Sequence, residues 1–84
     1  MTDLNHQYVR YNLEEAHEEL GLILRDLKRD PKYTEAQLDR ALRHVVHHVN
    51  IAWNARYARA DAIHEATDDE LTTWSKYPTD LEPL

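Results

Sequence analysis

Eighty-four residues allow one domain, near the size at which a single hydrophobic core supplies only a few kcal/mol and oligomerisation commonly completes it. The chain has no cysteine, which excludes disulfides and thiolate metal sites, and its 16 acidic against 10 basic side chains give a net charge of -6 that repels nucleic acid and anionic membrane surfaces. One glycine, three prolines and 31% charged residues describe a helical protein, and with no basic-then-apolar leader and no aliphatic run longer than Leu22-Ile23-Leu24, neither signal peptide nor membrane span is expected and a cytoplasmic location is.

The first element is a helix over about 9–29. Val9, Leu13, Ala16, Leu20, Ile23 and Leu27 recur at steps of four and three, which keeps one stripe turned to a partner. Asp30-Pro31 ends it, because proline disfavours helical geometry in the preceding residue and has no N–H to give. After a short loop, Asp30 to Tyr33, the pair Thr34 and Gln37 has the reciprocal spacing of a capping box and starts a second helix, predicted over 35–66 because no proline or glycine interrupts it. Its stripe runs Leu38, Ala41 with Leu42, Val45, Val49, Ala52 and later Ile63. At 1.5 Å per residue it would be roughly 45 Å long against roughly 30 Å for the first, an overhang of several turns. Thr67 and Glu70 repeat the capping spacing, and a short third helix is predicted over 68–76, folding Leu71 and Trp74 back on the overhang before a tail, 77–84.

The expected fold class is therefore all-α: a single domain, 1–84, built on an antiparallel helical hairpin with a short C-terminal helix. Pairing Leu27 with Leu38 beside the loop sets a register that brings Leu20 to Val45, Leu13 to Ala52 and His17 to His48. Val46, Ile51 and Trp53 lie off that seam, and a helix apolar on several faces needs more than one neighbour. The expected remedy is a second copy, two hairpins forming a four-helix-bundle homodimer; a different protein partner and a docked third helix are the alternatives.

Six histidines are unusual in so short a chain. His44 and His48, four apart, project from one ridge, and the expected register adds His17, so the three could bind zinc or another divalent transition metal. The competing readings are core-edge histidines bonded to each other, or a cluster that charges together near pH 6. Arg56 and Arg59 continue the inner stripe where aliphatic residues are expected, so they are candidates for an anion site or for ion pairs with Asp68, Asp69 or Asp3.

On the first helix, Glu14, Glu15, Glu18 and Glu19 form an acidic group. Glu15-x-x-Glu18, preceded by Glu14 and followed by Leu20 and Gly21, resembles the first motif of the MazG-type nucleotide pyrophosphohydrolases. That resemblance implies a magnesium-dependent all-α hydrolase with a second acidic pair, Glu-x-x-Asp, on the next helix; the nearest pair here is Glu35-x-x-x-Asp39, one residue wider. Glu14-x-x-His17 has the spacing of a di-iron ligand pair, but the second helix offers no inward glutamate to match it. No serine or cysteine nucleophile is paired with a base, and a single glycine cannot form a phosphate-cradling loop. The functional expectation is a non-catalytic self-associating or partner-binding module without a cofactor. The transition-metal-binding bundle and the magnesium-dependent hydrolase are its alternatives.

Overall fold

A computed structural model of the chain describes residues 3–84. It is helical, with α1 over His6–Arg29, α2 over Glu35–Asn54, α3 over Ala62–Glu65 and α4 over Asp68–Trp74. Among the described residues no helix is long and apolar enough to cross a membrane.

Each long helix begins where its side chains can satisfy free amides. Asn5 caps α1 by accepting from the Tyr8 N–H at 3.1 Å, one turn earlier than the apolar stripe alone indicates. Asp30 ends the helix in extended geometry, and its side chain then accepts from the Lys32 N–H at 2.8 Å to shape the turn through Pro31. Thr34 and Gln37 form the expected box at the start of α2, and Thr67 and Glu70 form the second at α4. The short connection makes α1 and α2 antiparallel, and Ala16, Ile23 and Val45 are buried together between them, flanked by Leu38 and Ala41.

Two expectations fail here. The second helix does not run over 35–66 but ends at Asn54, and the chain turns through Ala55–Asp61 into α3; the last helix stops at Trp74, not at 76. Nothing local forces the break, and the compensation comes from far along the chain. The Asn5 backbone N–H donates to the Arg56 carbonyl at 2.6 Å, and its side-chain amide donates to the carbonyls of Ala58 and Arg59 at 3.1 and 3.0 Å. On the other side Asn54 donates to the Trp74 and Lys76 carbonyls, and Asn50 to that of Ser75. These bonds replace the helical ones that straight continuation would have made, and they fold α3 and α4 against the hairpin. There Tyr8, Ile51, Ala55 and Ala62 form a second core, packed by Leu71 and Trp74, with the Tyr8 and Trp74 rings edge to face at 5.9 Å.

The second failure is the rotation of the seam. The buried positions of α1 are Tyr8, Asn12, Ala16 and Ile23, whereas Leu13, Leu20 and Leu27 stay 41–49% exposed. Docking α3 and α4 on the Tyr8 and Ile51 side draws those residues inward, and His48 consequently meets Asn12 rather than His17. The tail lies along the hairpin: Pro78 is buried, and Asp80 accepts from the Trp53 indole N–H at 2.8 Å.

Candidate functional site

The polar part of the seam is built on Asn12, which is 1% exposed. Its amide N–H donates to the Tyr8 carbonyl at 3.0 Å, which turns its oxygen toward the Nδ1 of His48 at 2.9 Å. A carbonyl only accepts, so His48 Nδ1 carries the proton. One turn earlier on α2, His44 Nδ1 lies 3.3 Å from a Glu19 carboxylate oxygen, and the same logic makes it the donor. The two Nε2 atoms are then 3.2 Å apart, with the ring centroids at 4.9 Å. Burial pushes the pKa of His48 below its ordinary value, with the neighbouring His47 and His44 adding to the effect and Glu15 opposing it. Tyr11 and His47 stand edge-on to the His48 ring.

His17 is not part of this cluster. At 100° per residue it lies about 140° to 160° round α1 from Asn12 and Glu19. It lines an open groove with Leu4, His6, Val9, Arg10, Leu13 and Glu14 instead. The structure thus brings His44 and His48 together and adds Asn12 and Glu19, two residues the sequence reading did not connect with them. The sequence holds no such signal for Asn12, because the apolar stripe places Val9, Leu13 and Ala16 on the seam and Asn12 beside it; only the observed roll of α1 buries this amide, which then needs a polar partner across the interface.

The acidic group does not face other acids. Glu14 lies 3.5 Å from Arg10 on the surface, Glu19 is turned to His44, and Asp39 lies 3.2 Å from Arg43 within α2. Among the described residues no three or more histidine, aspartate and glutamate side chains converge to hold a metal ion. The position across from Glu19, where the pyrophosphohydrolase motif implies a carboxylate, is His44.

Arg56 and Arg59 lie beyond the end of α2, and each is engaged within the chain. Arg56 stacks on Trp53 at 3.8 Å, donates to the Trp53 carbonyl at 2.8 Å and pairs with Asp80 at 3.2 Å. Arg59 is held by Glu70 and, at 2.7 Å, by Asp61, and it donates to the Glu65 carbonyl. The Arg59 guanidinium, together with the Thr67 N–H of the capping box, lowers the Glu70 carboxyl to about 2. Their partners are therefore Asp80, Glu70 and Asp61 rather than Asp68, Asp69 or Asp3, and they tie the C-terminal segments to the hairpin end.

The remaining feature is apolar. Leu13, Leu20, Leu24 and Leu27 of α1 and Leu42, Val46 and Val49 of α2 are each at least 40% exposed. Leu13 and Val49 line one groove with Val9, Ala52 and Leu81, so the apolar sides of both helices open in the same direction. No family model, curated protein or solved structure matches the chain.

Proposed function

We propose that the chain is a self-associating helical module: two hairpins close their apolar sides on each other to form a four-helix-bundle homodimer. The observation that carries the reading is the exposed row on α1 and α2. With Leu24 at 66% exposure and six neighbours at 40–49%, the row leaves roughly 600 Å² of apolar surface in water, as large as the largest patch a typical monomer tolerates. Adding Leu4 and Leu81, 39% and 44% exposed on the rim of the groove, brings it near the roughly 800 Å² that each partner contributes to a standard interface. The core beneath is thin, since Ala16, Ile23 and Val45 are the buried apolar residues in the half of the hairpin near the loop. A second copy fits this face by composition, because an isologous contact sets leucine and valine rows against themselves and leaves the acidic side chains outward.

Sedimentation equilibrium of the full chain tests the reading. The expected species has about twice the 10.0 kDa chain mass. A species of 10.0 kDa that persists to millimolar concentration would refute it.

A further inference from the structure

The pair His44–His48 poses a problem of charge that the fold alone does not solve. Both Nδ1 atoms act as donors, His44 to Glu19 at 3.3 Å and His48 to Asn12 at 2.9 Å. In neutral imidazoles so fixed, each Nε2 carries a lone pair and no proton. Yet the two Nε2 atoms stand 3.2 Å apart. Two lone pairs at that distance repel unless a cation is placed where both can reach it.

The ring geometry is closer to that of a bridging metal ion than to that of a linear shared proton. A proton asks for a nearly linear N–H···N bond, which at this separation, with each ring centre about 1.2 Å behind its nitrogen, holds the centroids roughly 5.5 Å apart. The observed spacing is 4.9 Å, short of that value, so the two lone pairs converge beside the line between the nitrogens rather than along it. An ion bound at about 2.05 Å from each nitrogen would subtend about 100° across the 3.2 Å edge, near the tetrahedral angle, with the centroids about 5 Å apart.

We propose that His44 and His48 chelate one divalent transition-metal ion through their Nε2 atoms, with Glu19 and Asn12 as the outer acceptors that orient the two rings. Metal-bound histidines characteristically give their other N–H to a carboxylate or carbonyl, which fixes the tautomer and raises the basicity of the ligand; both rings have such a partner. Imidazole donors suit zinc, copper and nickel, and water completes the coordination, because the His44 side chain remains 49% exposed. The site dispenses with His17. His44 lies about 140° to 160° and His48 about 100° to 160° round α2 from Leu42, Val46 and Val49, so the site stands apart from the proposed dimer face.

Titration calorimetry with Zn²⁺ alone, on the full chain at about pH 7.5, tests the proposal, with long-range imidazole ¹⁵N spectra as the positional readout. The expected result is one ion per chain and movement of the Nε2 resonances of His44 and His48. His44→Gln and His48→Gln each weaken binding at least about tenfold, Glu19→Gln weakens it by about tenfold, and His17→Gln leaves it within about twofold. Far-UV circular dichroism verifies the helices of each variant; His44 lies at the surface, so its variant reports on binding even if His48→Gln loosens the seam. An affinity unchanged in His44→Gln, an equal loss in His17→Gln, or no binding by the unmodified chain up to about 1 mM Zn²⁺ would overturn the site.

Discussion

Replacing Leu24 with alanine separates the proposed self-association from folding, because this side chain contributes little within one chain. It is 66% exposed, so on the order of 100 Å² of its apolar surface awaits a cover. At about 25 cal/mol per Å², covering it contributes about 2.5 kcal/mol, and two-fold symmetry applies the change twice. Alanine retains roughly a third of that area, so Leu24→Ala removes about 3 kcal/mol from a dimer, a weakening of roughly a hundredfold in the dissociation constant. The folded monomer, where the residue lies in neither core cluster, changes by no more than about 0.5 kcal/mol. Leu22 supplies the control: it is 38% exposed but lies about 160° round the helix from Leu20 and Leu24, so Leu22→Ala leaves the dissociation constant unchanged. Sedimentation equilibrium across a concentration series reads all three proteins. Equal dissociation constants for Leu24→Ala and the unmodified chain, or an equal loss in Leu22→Ala, would show that the apolar face is not the interface.

Asn5→Ala removes both the α1 cap and the donors to Ala58 and Arg59, and is expected to lower stability by about 2 kcal/mol or more in urea unfolding; Asn5→Asp, which keeps the cap oxygen, should lose less. An Asn5→Asp variant as stable as the unmodified chain would show that the donor side of Asn5 has no role in holding the turn, and equal losses in the two variants would remove the cap instead. Arg59 holds the Glu70 carboxyl at about 2, well below the 4.5 of a free glutamate, so the unfolded chain binds its proton first on acidification. Its contribution is present above pH 4.5 and is lost as pH falls toward about 2. Thermal melts over that range should be shallower in pH for Glu70→Gln; parallel curves would remove the ion pair from the account. Asp80→Ala releases the tail from Trp53 and Arg56, and trypsin should then cleave after Lys76 faster than in the unmodified chain. Identical cleavage rates would mean that the contacts of Pro78 hold the strap by themselves.

The parts of this structure legible in the sequence are those whose causes lie within one turn. Pro31 ends α1, and the boxes Thr34 with Gln37 and Thr67 with Glu70 place the starts of α2 and α4, because donor and acceptor are three residues apart and need nothing else. The i, i+4 spacing likewise put His44 beside His48. The partner of His48 is not legible in the same way, because an apolar stripe specifies a face only to within a residue or so, and Leu13, Leu20 and Leu27 mark the exposed face rather than the intrachain seam.

What the tertiary structure decided is where a long helical pattern breaks and which way each helix is rolled. The segment after Asn54 has no proline or glycine to stop it, yet it turns because Asn5, some fifty residues earlier, supplies the amides its freed carbonyls need. Backbone hydrogen bonds must be satisfied somewhere, and only the folded chain determines whether the donor is the next turn or a distant asparagine. The same long-range docking rolled α1 so that Asn12 and Glu19 face His48 and His44. Composition and periodicity thus determined that the chain is helical, and the capping boxes where α2 and α4 start, while the polar seam and the open apolar face were set by packing between segments far apart in sequence.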